Sequence, residues 1–448
     1  MKQIKYIQAG LCIICLSIFG INFPVNAANE SINVYHTLVV TAPSVSGEKV
    51  TLQGIVIKNG AATGSGNVSV NGKNFGRGQG GGVNISGGST VELTDCEISE
   101  NTASMAGGVY IANASNVTFK RCRVSDNIST GNSGAFFAGA NSVLTMYDSE
   151  ISGNKTTGTG IAAALQVQNA KSYVYNTTVS GNIAAGNNCG AVYLREGSEN
   201  YWVNCTVYGN KSGSYGGGFA FYGTAAATSK SYIVNSTITN NEATTGGGIR
   251  VVDTNATVAF YNTIISGNTT DAAGTYSKQN TIIGGTVYNA SGAEVASLTF
   301  NPVTQLGALA DNGGYTRTCL LTDDNPANTN GMSAGNLTDL GISLSLPTGI
   351  ITSDQLGNSR ETYTTMGAVV KAVTTGDNGI GKEKLRCFVS GKTLYVPSQI
   401  GDNINVYSIG GQLVRSITAN SEMMQIEQLL QGNIYIVKVA EQAVKVIM

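Results

Sequence analysis

The stretch Val91-Glu-Leu-Thr-Asp-Cys-Glu-Ile-Ser-Glu-Asn101 returns as Val117-Thr-Phe-Lys-Arg-Cys-Arg-Val-Ser-Asp-Asn127, then as Leu144-Thr-Met-Tyr-Asp-Ser-Glu-Ile-Ser-Gly-Asn154 and Ser172-Tyr-Val-Tyr-Asn-Thr-Thr-Val-Ser-Gly-Asn182. Three further copies close at Asn210, Asn241 and Asn268, so successive closing asparagines stand 26, 27, 28, 28, 31 and 27 residues apart. An earlier copy, Val50-Thr-Leu-Gln-Gly-Ile-Val-Ile-Lys-Asn59, precedes a longer insertion. Between copies lies a second motif: Gly81-Gly-Val-Asn-Ile85, Gly107-Gly-Val-Tyr-Ile111, Gly217-Gly-Phe-Ala-Phe221 and Gly247-Gly-Ile-Arg-Val251. Each copy alternates apolar and polar residues in short runs broken by Gly and Asn, which is a strand pattern and not a helical one.

One such unit cannot bury its apolar side alone. Stacked units can, each pairing with the next at ~4.8 Å. The repeat therefore predicts an all-β fold, a right-handed parallel β-helix over residues 28–300 with one coil per copy. Glycines serve turns that need positive φ. The closing asparagines tolerate left-handed turns, and their amides can bond to their equivalents one coil away. Alternation turns Leu93, Phe119, Met146, Val174, Trp202, Ile233 and Phe260 inward as one stack. Cys96 and Cys122 fall in a column of small residues and are expected as neighbouring buried thiols. A disulfide between them stays open as an alternative, although in-register neighbours rarely have the geometry for one.

Two outward columns are candidates for function. Tyr173, Tyr201 and Tyr232 fall in register on consecutive coils, with Tyr175 beside them. A flat aromatic strip with polar tips suits stacking on sugar rings, and strand-favouring tyrosines that shield backbone are the alternative. Glu97, Arg123 and Glu150 form a second column of alternating charge. It reads as a structural charge ladder, and it is also the best place for catalysis by a carboxylate and a basic residue.

Composition narrows the classes. The chain has 448 residues, 58 of them glycine, nearly twice the usual ~7%. Lys and Arg total 26 against 27 Asp and Glu, so the basic excess of a nucleic-acid binder is absent. His36 is the single histidine, which argues against histidine-based catalysis. Lys2, Lys5, the apolar run Leu11–Gly20 and Val25-Asn26-Ala27 read as a removable signal peptide over residues 1–27. No later apolar stretch is long enough to span a bilayer, so the chain is expected to be secreted and not membrane-spanning.

These copies resemble the right-handed β-helix repeats of pectin-lyase-like surface proteins, and the Gly-Gly-x strands resemble those of polymorphic outer-membrane proteins. Gln305-Leu-Gly-Ala-Leu-Ala-Asp-Asn-Gly-Gly-Tyr-Thr-Arg-Thr318, Asn325-Pro-Ala327, Ser353-Asp-Gln-Leu-Gly-Asn-Ser-Arg360 and Met366-Gly-Ala368 are similar to the segment closing many surface β-helices of the choice-of-anchor type. The resemblance departs at Asn325–Gly331, where S-P-A-I-D-A-G is degraded, and at Leu356, which replaces an arginine. Residues 301–372 are thus expected to cap the last coil, whose open edge would otherwise invite aggregation. Residues 373–383 read as a linker. Residues 384–448 read as a small antiparallel β-sandwich; the motifs around Ile404–Val414 and Ile434–Val439 resemble the C-terminal sorting domain of the type IX secretion system of Bacteroidota. That resemblance implies passage through the outer membrane with help of the type IX machinery, and a place on the cell surface or release from it.

Fold alone does not decide function. The leading reading is a non-catalytic adhesin or glycan-binding protein whose partners are glycans or host and cell-surface polymers, met through Tyr173, Tyr175, Tyr201 and Tyr232, with no cofactor and no nucleic acid. The alternative is a polysaccharide lyase or related carbohydrate-active enzyme on acidic polysaccharide, working through Glu97, Arg123 and Glu150 and requiring Ca²⁺.

Overall fold

The computed structural model describes residues 38–370 and 387–447, apart from 42–48, 71–72, 140, 187–188, 340–345, 348, 361–363, 391–392, 409–410, 422, 431–433 and 440–441. They form two compact units that part between 370 and 387. The expected signal peptide at 1–27 and linker at 373–383 lie outside the described residues.

In the first unit each repeat winds into one coil of a right-handed parallel β-helix. Strands from successive copies stack in chain order. The first sheet runs from Leu38–Thr41 to Ala272–Ala273 and includes the Gly-Gly-led strands, the second runs from Lys49–Gln53 to Ser277–Gln279, and the third begins at Val56–Lys58. Two-residue strands from Ala61–Ala62 to Lys211–Ser212 form a fourth. Register is kept from coil to coil: Phe119 pairs with Leu93 and Met146, and Trp202 with Val174 and Ile233. The inward stack from Leu93 to Phe260 is fully buried. Its neighbouring inward column turns polar at three coils. Ser172 Oγ donates to Asn200 Oδ1 at 2.8 Å, and Asn200 Nδ2 to Ser231 Oγ at 3.2 Å, so the three buried groups satisfy one another.

The closing asparagines form an interior ladder. Asn101, Asn127, Asn154, Asn182, Asn210 and Asn241 each donate from Nδ2 to Oδ1 of the next at 2.9 Å. Asn268 ends the ladder on Asp271 Oδ1, also at 2.9 Å. The left-handed residue is the one before each asparagine, such as Glu100, Asp126 and Gly153. The Gly-Gly motif is likewise not a positive-φ device. A Cβ on Gly107 would stand 2.5 Å from the carbonyl oxygens of both Gly134 and Ile128; close backbone approach excludes a side chain there. The six described cysteines are free, with Cys96 and Cys122 buried at adjacent coils.

The last coil is closed by antiparallel strands, Thr281–Ile283, Thr286–Tyr288 and Glu294–Thr299, which extend the third sheet. Ala327 and Met366 pack there against Ile264, Ile282 and Val287. The segment after residue 300 does more than cap: it runs back as a strap along the corner between the second and third sheets. Left-handed asparagines and threonines line that corner and offer polar groups to it. Asn204 Nδ2 donates to the Ile350 and Ser353 carbonyls at 2.6 and 3.0 Å. Gln355 Nε2 donates to Thr178 and Thr316 hydroxyls at 2.8 and 2.9 Å, and its Oε1 accepts from Thr206 at 2.6 Å. Asp354 holds the strap's own turn by accepting from the Leu356, Asn358 and Val370 amides.

The second unit pairs antiparallel strands throughout. Phe388–Ser390, Thr393–Pro397 and Met423–Ile426 form one sheet; Leu413–Thr418, Asn403–Ser408, Ile434–Val439 and Gln442–Ile447 form another. Leu394, Val396, Ile404, Val406, Ile426 and Val437 are buried between them as its core.

Candidate functional site

The outer face of the second sheet gathers the tyrosines. Tyr173 pairs with Tyr201, and Tyr201 with Tyr232. Their rings stack along the rod with centroids 5.4 and 5.2 Å apart and planes within 6° and 7°. The inner ring faces are therefore spent on each other, and Tyr201 is only 7% exposed. A strip of flat faces open to solvent is thus not what forms. The ladder presents ring edges and hydroxyls, because a ~4.8 Å coil spacing lets neighbouring rings pack face to face.

Two residues before the tyrosines, on the same face, stand Lys171, Glu199 and Lys230. Lys171 Nζ lies 2.7 Å from Glu199 Oε2, and the Tyr201 hydroxyl donates to Glu199 Oε1 at 2.6 Å. These bonds, Lys171 first, hold the Glu199 carboxyl below its usual range, while the same carboxylate raises Lys171. Burial, then the bond to Glu199, pushes the Tyr201 phenol up. Lys230 is exposed and makes no ion pair among the described residues. A cleft of about 370 Å³ opens beside this row, lined by Asn141, Asn169, Lys171, Glu199, Thr228 and Lys230 among others. The local surface thus combines amides, two lysines against one glutamate, and the hydroxyls of Tyr173 and Tyr232.

Tyr175 does not belong to the surface. It is 2% exposed and packs with Val203, Val234, Met332, Leu337 and Ile350 beneath the strap. The strap covers the column that holds Tyr147, Tyr175 and Tyr261, and the ladder residue Tyr173 packs against the same cluster, while Tyr173 and Tyr232 each keep part of their surface in solvent.

Glu97, Arg123 and Glu150 do stand in register on the third sheet. They do not form a charge-paired trio. Glu97 accepts from Ser99 Oγ at 2.8 Å. Arg123 is exposed and forms no ion pair with either glutamate. Glu150 is instead held by the Arg317 guanidinium, which reaches it from the strap. Among the described residues no three His, Cys, Asp or Glu side chains group as they would around a metal ion.

Lys171, Glu199, Lys230 and the cleft asparagines were invisible to a repeat frame that begins one residue before the tyrosine. Starting the frame one residue earlier exposes the Lys-Glu-Lys column. The outward column of the first sheet was also missed: Tyr110 directly follows Gly107-Gly-Val109, and Tyr193 follows the related Gly190-Ala-Val192.

The geometry defines a right-handed β-helix with a polar, tyrosine-lined outer face. In agreement, a family model described as "Right handed beta helix region" matches residues 39–172. No curated protein and no solved structure gives a significant match.

Proposed function

We propose that the rod is a non-catalytic glycan-binding protein that takes acidic glycans on the outer face of its second sheet. The observation that carries this reading is the in-register row of Lys171, Glu199 and Lys230 beside the tyrosine ladder and its cleft. Lys230, exposed and without a close ion pair among the described residues, offers a cation for a carboxylate or sulfate. The hydroxyls of Tyr173 and Tyr232 and the Asn141 and Asn169 amides offer hydrogen bonds to sugar hydroxyls. A column repeated over several coils suits a polymer, since each coil adds a weak contact and the contacts act together. The test is a glycan array comparing wild type with Lys230→Ala and Tyr232→Ala. Acidic glycans retained by wild type and lost by both variants support the reading; equal retention by all three defeats it.

We further propose that residues 1–27 direct export and that residues 384–448 serve as the sorting domain of a type IX substrate, placing the rod on the outer surface of the cell. The motifs of the C-terminal strands support this, together with an antiparallel unit that has its own core. Deleting residues 384–448 should hold the protein in the periplasm of a type IX-competent host. Normal surface display of the truncated protein rules the sorting assignment out.

A further inference from the structure

The outer face of the first sheet carries a second cluster, separate from the ladder. Gln166 and Tyr193 are in register there, and Gln168, Arg195 and Tyr222 follow one step along the same coils. The Arg195 guanidinium lies 5.4 Å from the Tyr193 ring centre and 5.9 Å from that of Tyr222, a placement that favours a cation over both rings. Arg195 Nη2 meets Glu196 Oε1 at 3.1 Å, and Gln168 Nε2 donates to the same oxygen at 2.6 Å. The Tyr193 and Tyr215 hydroxyls approach to 3.4 Å.

This network is incomplete. Arg195 Nε and Glu196 Oε2 are buried and have no hydrogen-bond partner among the described residues. A spare donor and a spare acceptor thus lie on two charged groups that are paired through their other atoms, where unmade bonds cost most. Arg195, Glu196, Gln168, Tyr215 and Tyr222 all keep part of their surface in solvent, so the cluster borders the outer face, and a ligand reaches the two buried atoms when a tyrosine side chain moves aside. The charges of Arg195 and Glu196 cancel, which disfavours a charged guest in a half-buried setting. A neutral guest with adjacent hydroxyls can both accept from Arg195 and donate to Glu196, while its C–H face lies on a tyrosine ring.

We infer that the Arg195–Glu196–Gln168 cluster, walled by Tyr193, Tyr215 and Tyr222, is a second binding site that takes a neutral saccharide. It goes beyond the acidic-glycan reading and does not depend on the tyrosine ladder.

The test titrates the full protein with neutral hexasaccharides of glucose, xylose, mannose and N-acetylglucosamine by calorimetry and saturation-transfer NMR. Wild type binds at least one, and Tyr222→Ala and Gln168→Ala weaken that binding tenfold or more. Should Tyr222→Ala not fold, Tyr222→Leu keeps apolar bulk and removes the ring face, and the same loss is expected. The proposal is overturned if no hexasaccharide binds wild type, if the variants bind as wild type does, or if Lys230→Ala is the variant that loses neutral-sugar binding. Acidic polysaccharide binding is read on the same wild-type sample; its absence bears on the second-sheet site and leaves this one standing or falling on the neutral sugars alone.

Discussion

Replacing Gln355 with leucine removes the residue that fastens the strap to the rod. Its side chain makes three hydrogen bonds, to Thr178, Thr206 and Thr316, and it is only 3% exposed. Thr178 and Thr316 keep other acceptors, the Arg317 and Asn176 carbonyls. Among the described residues the Thr206 hydroxyl has no other partner and is left buried. At about 1 kcal/mol for each neutral bond, the loss is about 3 kcal/mol. It falls on docking of the strap, while the coils keep their own ladders. Hydrogen exchange followed by mass spectrometry reads this locally. The amides of Met366, Gly367 and Ala368 bond to Ala327, Asn262 and Thr237, and their exchange should quicken about a hundredfold. The amides of the Asn101–Asn241 ladder should stay protected. Unchanged exchange at 366–368, or equal acceleration in the ladder, refutes the view of the strap as a separately fastened element.

Other consequences can be checked singly. Tyr201→Ala removes the middle ring of the ladder and should cost about 3–5 kcal/mol in denaturant unfolding, from lost burial and two stacking contacts; Tyr201→Phe should cost only about 1 kcal/mol, for the bond to Glu199. Because Lys171 and Tyr201 lower the Glu199 carboxyl, the stabilisation from this group is present above the usual glutamate range and is lost as pH falls through the lowered folded value. The melting-temperature gap between wild type and Glu199→Gln should therefore be open at neutral pH and close in acid; a gap that widens in acid contradicts the pairing. With Glu150 engaged by Arg317, incubation with polygalacturonate and Ca²⁺ should release no unsaturated uronate. Ultraviolet-absorbing products that disappear in Arg123→Ala would restore the lyase reading.

The coil architecture was legible because it rests on local alternation and on identical residues meeting themselves. Leu93 and Phe119 point inward for the same reason, and Asn101 finds Asn127 because each occupies the same turn. The register of Tyr173, Tyr201 and Tyr232 was legible for that reason too. How their rings would lie was not, since stacking depends on side-chain torsions chosen jointly by three coils. Tyr175 looked equivalent to Tyr173 because alternation places both outward; its burial comes from Met332 and Ile350, more than a hundred residues later, and no periodicity signals that. Glu150 was misread for the same reason, its partner Arg317 lying in the strap. The first-sheet cluster was not legible because Arg195 and Tyr222 lie just past the short strands Val192–Leu194 and Phe219–Phe221, outside the alternating runs that periodicity reads.

The most direct test of the proposed binding face is fluorine NMR of protein labelled with 3-fluorotyrosine, with resonances assigned by single Tyr→Phe changes and the sample titrated with polygalacturonate. Tyr173 and Tyr232 should shift on addition of the polymer while the buried Tyr175 stays still. Stationary Tyr173 and Tyr232 signals in saturating polymer, or movement at Tyr175 alone, contradict the placement of glycan on the second sheet.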